Sequence, residues 1–420
     1  MFSKFFAVKN ENRILVMLAF FSIGVGLWAN FRQLWLEDNY LSVSQISRLL
    51  GFGTMICAFF ALVAAKYISP ARIKMFISTL LLVKVGVMMA LWCGNKQLDL
   101  QWLSFLITAD IICEQLITIS IYPLLVTIRK DDILYSKRKL VEYLFRDVGV
   151  LIGGLFVGRL LFDVYFGYNV FLFMSCIFLF VSFWFLRGVS STNATHKRVR
   201  LKGFTKEIFK DKLAMLYFLY YFTGNTAYNT ALGLKMLMFT NLFGFTAGAA
   251  TTYFLVIGLL ADGLGILCLK YFMPKNDYVT ITIKFGLRFI LYFIAFVSNS
   301  IPIILIAISW AILISTAYEN KTDALYINRI DVKNQLVFIN YRYIIGILGT
   351  ANGLFLAGIT YTMGVRYMLG LSAFLMVFQM SMAYLMIYMR THAKESFIQK
   401  KQETLIEQEI ELITENKQIG

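Results

Sequence analysis

Histidine is almost missing from this chain. Two occur in 420 residues, His196 and His392. Both fall in polar stretches, so no histidine-based metal or catalytic site is expected. Proline is nearly as scarce, at four; with so few helix-breaking residues, long uninterrupted helices are possible. Charged residues make up only 15%, against roughly 25% in an ordinary soluble domain. The five cysteines, Cys57, Cys93, Cys113, Cys176 and Cys268, have neither metal-ligand spacing nor a paired extracellular framework. All lie inside apolar runs and read as small apolar residues. No phosphate-cradling glycine loop of the GxxxxGK type occurs, so neither ATP nor any other cofactor is expected. The first apolar run is too long for a cleavable signal peptide and has no small-residue cleavage site after it.

What is present is hydrophobic, at 59% of residues. The apolar runs repeat at about 20 residues, the length that crosses a hydrocarbon core of about 30 Å at 1.5 Å per helical residue. In lipid the backbone must satisfy its own hydrogen bonds, so these runs are predicted to be α-helices. Twelve such spans can be drawn, at about 14–36, 46–65, 73–93, 102–128, 140–162, 168–186, from about 213 onward, 247–269, 278–297, 301–326, 336–359 and 367–389. The expected fold class is an all-α membrane protein of twelve transmembrane helices in two six-helix halves. Residues 1–186 form the first half and 213–390 the second. A basic linker, 187–212, joins them, and a tail follows at 391–420. In that tail charge alternates with Ile406, Ile410 and Ile413, as in a short surface helix.

The formal charge of +16 could suggest nucleic acid, but its distribution argues otherwise. On this topology 28 of the 40 Lys and Arg residues lie on one side of the membrane. Only Lys96 and Arg366 occupy loops on the other. Ten more sit within or at the ends of spans. That asymmetry is the positive-inside signature and puts both termini in the cytoplasm. The expected location is a bacterial cell membrane, multi-pass, with some attraction to anionic lipid heads and no nucleic-acid partner.

An internal repeat supports two halves. The run KYISP from Lys66 to Pro70 and the run KYFMP from Lys270 to Pro274 each follow the second span of a half. Arg146 and Arg342 each lie a few residues into a fifth span. Glycines at 154 and 158, then at 349 and 353, follow them.

Twelve spans in a 6+6 repeat with a basic linker and inward termini resemble the major facilitator superfamily over about residues 13–390. Arg72 and Lys74 match the basic end of that family's loop 2–3 signature. Gly149, Gly153, Gly154 and Gly158 partly echo its antiporter glycine motif, without the proline. The resemblance implies that spans 1, 4, 7 and 10 line a central cavity. It makes Asn30, Arg32, Asp110, Glu114, Tyr221, Asn225 and Asn229 substrate-binding candidates, with Glu319 also lining. Ionisable side chains in lipid cost roughly 2.5–3.5 kcal/mol on insertion scales. They persist where they face a cavity, pair, or do work. A carboxylate in a partly dry cavity can exchange a proton near neutral pH. Glu114, near mid-depth, is the leading proton-coupling candidate, followed by Asp110 and Asp262; the competing reading of each is a static interhelical pair. Arg32 can hold a substrate anion or snorkel to the headgroups. Arg146 and Arg342, with Asp147, Glu319 and Asp323 as possible partners, read as a cytoplasmic gate. Tyr221, Asn225 and Tyr228 share one helix face, as a ligand face or as packing. The glycine series reads as close helix packing. Lys84, Lys284 and Arg288 lie on spans that the family places outside the cavity, and read as snorkelling or structural.

The function this implies is a secondary active transporter of a small organic solute, working by alternating access with proton coupling, with export favoured over uptake. The alternatives are a proton-coupled uptake symporter and a lipid flippase or sensor on the same fold. An embedded enzyme would need clustered catalytic side chains near one interface, and no histidine lies in a span. The expected partners are a small-molecule substrate, protons and membrane lipids, and the expected state is a monomer.

Overall fold

The computed structural model describes residues 10–39, 41–67, 72–94, 98–128, 169–189, 212–267, 276–327 and 332–389, with the single residues 148 and 274. Every regular element among them is helical. In chain order these are α1 (Asn10–Asp38), α2 (Val43–Tyr67), α3 (Ile73–Gly94), α4 (Leu100–Ile128) and α5 (Asn169–Arg187). After them come α6 (Lys212–Leu232), α7 (Ala247–Leu267), α8 (Asp277–Val297), α9 (Ile301–Ile327), α10 (Val332–Tyr361) and α11 (Val365–Met389). They match predicted spans 1–4, 6 and 7–12. Span 5, most of the linker and the tail lie outside the described residues. Eight of these helices are long and apolar enough to cross a membrane. α6 is not one of them, because four tyrosines, three threonines and two asparagines interrupt it.

Helices joined by a short connection run in opposite directions, whereas α4 and α5 run the same way, α4 parallel to α2 and α5 antiparallel to α1. The connections at 39–42, 95–99, 233–246, 298–300 and 362–364 therefore share one end of the bundle, here the short-loop end. α5 ends and α6 begins at the opposite end, called here the linker end. Gly364, at φ 109°, takes the left-handed conformation that closes α10; its N–H donates to the Thr360 and Tyr361 carbonyls.

In the first half α1 lies along α5. The Phe31 and Phe171 rings stack at 4.3 Å, and Ser182 donates to the Met17 carbonyl at 3.0 Å. α4 packs on α2 and α3. In the second half α6 lies against α10 so closely that a Cβ on Gly349 would fall 2.5 Å from the Phe222 carbonyl oxygen, and one on Gly353 2.6 Å from that of Thr226. Small residues at such a seam let two backbones meet without a hydrophobic drive between them. The Thr226 hydroxyl uses the proximity, donating to the Gly349 carbonyl at 3.1 Å. Gly349→Val is expected to cost about 1–3 kcal/mol by overpacking, read as a lower Tm of the detergent-solubilised protein. An unchanged Tm would mean that the seam opens at no cost.

The two halves meet chiefly where α2 packs on α10. At the short-loop end this contact becomes a seal. Ser47 donates to the Leu354 carbonyl at 2.7 Å, directly under Gly358, whose Cβ would stand 2.5 Å from Ser47 Cβ. Gly51 faces the Phe355 ring. Two further bonds cross between the halves here, and a third braces the second half beside them. Gln33 Nε2 donates to the Gly233 carbonyl at 2.6 Å, Asn241 Nδ2 donates to Glu37 at 2.5 Å, and Tyr361 ties the turn to α10 by donating to the Leu237 carbonyl at 3.1 Å. The short-loop end is closed.

Candidate functional site

Four charged side chains from three helices of the first half converge near mid-depth. Asp110 and Glu114 lie one turn apart on α4, about 15 and 21 Å from its start by helical rise. Lys84 reaches them from α3 and Arg32 from α1. Asp110 is fully buried and takes three donors: Trp28 Nε1 at 2.8 Å, Arg32 Nη1 at 3.1 Å and Lys84 Nζ. Glu114 is held differently. Its Oε2 stands 3.5 Å from Lys84 Nζ and 3.9 Å from Arg32 Nη1, and its side chain keeps 8% exposure. Two cations and two anions balance, so the buried set is neutral. Within it Asp110 is saturated and Glu114 is the loosely held member.

α3 explains how a lysine comes to be there. Its buried positions are Ile73, Ile77, Leu81, Lys84, Met88 and Leu91, spaced by three and four, the stripe of one helix face. Lys84 occupies a stripe position about 15 Å from either end of the helix, too deep for its side chain to reach a headgroup. It is 1% exposed and bonded to both carboxylates. Of the two expectations for Lys84, snorkelling or structural, the buried ion pair is the structural one, and its place among the site residues is what reading by span number missed. Arg32 also turns inward to Asp110 and Glu114 instead of snorkelling.

The second half arranges its polar residues otherwise. Asn225 Nδ2 donates to the Tyr221 carbonyl at 2.8 Å and Asn229 Nδ2 to the Asn225 carbonyl at 2.9 Å, with a further contact of 3.2 Å to Thr350 Oγ1. Their face lies on the α10 glycines: a Cβ on Gly349 would meet Asn225 Cβ at 3.0 Å, and one on Gly353 would meet Asn229 Cβ at 2.7 Å. Arg342 is buried, its guanidinium 4.6 Å above the centre of the Tyr221 ring and its Nη2 3.5 Å from that hydroxyl. Cation–π contact of this kind is worth about 0.5–2 kcal/mol. Asn30, Asp262, Glu319 and Asp323 stand on α1, α7 and α9, but their side chains lie outside the described residues, as do Arg146 and Asp147 entirely. The structure thus brings together Arg32, Asp110 and Glu114 of the predicted set, adds Lys84 and Trp28, and joins Tyr221 to Arg342 in the other half. Among the described residues no group of three or more His, Cys, Asp or Glu could hold a metal ion.

No family sequence model matches the chain, and no curated protein sequence does. Its three-dimensional likeness to solved transporters is extensive. The E. coli fucose:proton symporter FucP matches over 90% of this chain and 98% of its own, at TM-score 0.65 and 12% identity. A bacterial homologue of the human lysosomal transporter Spinster, in an inward-facing and occupied conformation, gives TM-score 0.65 at 12% identity, covering 90% and 96%. The human organic anion transporter MFSD10 gives 0.58 at 11%, covering 89% and 98%. At these identities the likeness is one of fold.

Proposed function

On the premise of this major facilitator fold, we propose that the chain is a secondary active transporter that carries a small organic solute across the cell membrane by alternating access, coupled to protons. The observation that carries the reading is the neutral cluster of Arg32, Lys84, Asp110 and Glu114 at mid-depth, with one of its carboxylates loosely held. Four ionisable side chains would be an expensive way to pack three helices, since apolar residues of similar volume often serve as well or better. A loosely held carboxylate that can be reached in turn from each side is what proton coupling requires. In this reading Glu114 carries the proton and Arg32 contacts the solute. Asp110 holds the two cations in place, and the Tyr221–Arg342 pair belongs to the linker-end gate. The linker end faces the cytoplasm, as does each terminus.

Export is favoured by the glycine-rich span 5. Uptake in symport with protons is the second reading, supported by the fold shared with a fucose:proton symporter. Flux of a solute panel into sealed vesicles, with and without an imposed proton gradient, tests both. The expected result is gradient-driven movement of at least one solute, dissipated by a protonophore; its direction relative to the gradient separates antiport from symport. Flux indifferent to the gradient removes the coupling, and no flux for any solute removes the transporter.

A further inference from the structure

Arg32 does not use all of its guanidinium. Nη1 serves Asp110 at 3.1 Å and faces Glu114 at 3.9 Å. Nε is buried and donates to nothing among the described residues, and no acceptor among them takes Nη2. These two nitrogens form the side-on edge of the fork, whose spacing matches the two oxygens of a carboxylate. The side chain is 15% exposed, the most open of the four; Lys84 and Asp110 are closed off, at 1% and 0%. An anion entering here meets a cluster that is already neutral, so its arrival leaves one uncompensated negative charge in a dry site. Uncompensated buried charge is neutralised by taking up a proton sooner than it is tolerated. Asp110, with three donors and no exposure, is a poor place for that proton. Glu114, with long contacts and some exposure, is the available one.

We propose that the site takes a carboxylate-bearing solute together with one proton, the carboxylate on the Nε–Nη2 edge of Arg32 and the proton on Glu114. This rests on the transporter reading in treating the cluster as the solute's seat, and joint binding of solute and proton is the symport form of that reading. The groups around Glu114 fit the role. Arg32 comes from α1, Lys84 from α3 and Asp110 from its own helix. The buried Cys57 thiol comes from α2, and from α10 come Ile344 and Ile347 against Leu116 and Ile119. With Glu114 protonated and the carboxylate bound, charge is again balanced at two positive and two negative.

The test uses the purified full chain and thermal stabilisation by lactate, benzoate, alanine, choline, uridine and fucose across a range of pH. Lactate or benzoate is expected to stabilise the protein. Apparent affinity should fall about tenfold per pH unit on the alkaline side, the slope for one linked proton. Arg32→Lys keeps a charge for Asp110 but lacks the side-on fork, and should weaken carboxylate binding about 10- to 100-fold. Glu114→Gln should flatten the pH slope. Stabilisation by uridine, fucose or choline alone, by no carboxylate at all, or by carboxylates equally in Arg32→Lys overturns the carboxylate seat. Alanine binding with no pH slope, or a slope that persists in Glu114→Gln, overturns the proton. Vesicle flux of whichever solute binds decides the transporter reading separately.

Discussion

Lys84→Met is expected to be among the most damaging single substitutions in the chain. It keeps the length and apolar stem of the side chain and removes the charge. Asp110 then loses one of three donors and Glu114 one of two cations, so two buried carboxylates share Arg32. Breaking a buried ion pair from one side typically costs about 3–5 kcal/mol, a large part of the roughly 5–15 kcal/mol that holds a domain together. The expected readout is a steep loss of Tm and of folded yield. A second change makes the cause visible. Lys84→Met combined with Asp110→Asn leaves one cation facing one carboxylate, and should recover part of the stability lost in Lys84→Met alone. Thermal denaturation of both single variants and the double variant gives the coupling. A double variant no more stable than the additive expectation would remove the paired-charge account of the cluster.

The second large effect is expected at the seal. A side chain at Gly358 cannot share space with Ser47 while α2 and α10 are closed at the short-loop end, yet it has no such conflict once they part. Gly358→Val therefore penalises one conformation selectively. A penalty of about 1–3 kcal/mol changes a two-state ratio by about 5- to 150-fold. Spin labels at the exposed positions Gln45 and Thr362 should report a longer distance in the variant than in the parent. The milder Gly51→Ala, whose new methyl meets the edge of the Phe355 ring at 2.9 Å, should produce a smaller shift in the same direction. Identical distance distributions in Gly358→Val and the parent would mean that these helices do not part at this end.

The helices are largely legible in the sequence because the bilayer dictates run length. α3 is read as about 73–93 and observed as Ile73–Gly94. The discrepancy is larger where helix continues beyond the apolar stretch, as at α10, which starts at Val332 and not near 336. The charges of the site are legible too, since Arg32, Asp110 and Glu114 stand out in apolar runs. Their partnership is not, because it depends on how α1, α3 and α4 are rotated about their axes. For Lys84 the signal was available in the stripe through Ile77, Leu81 and Met88, and the family's span numbering overrode it. Asn225 and Asn229 teach the complementary point. A period of four says that residues share a face, but not what covers that face; the covering surface, Gly346, Gly349 and Gly353, lies more than a hundred residues away.

That separation has a consequence for how the protein is made. α6 has the weakest claim of these helices to enter a membrane by itself, with nine tyrosine, threonine and asparagine residues among its 21. Its polar face is relieved only when the α10 glycines pack against it. The ribosome completes α6 about a hundred residues before α10 begins, a lag of roughly 5–20 s at ordinary synthesis rates. During that interval α6 must stay beside the insertion machinery, or slide back out, until its late partner emerges. Mutations that loosen the α6–α10 seam should accordingly register first as failed biogenesis, with nascent chains degraded before any finished protein exists to be assayed.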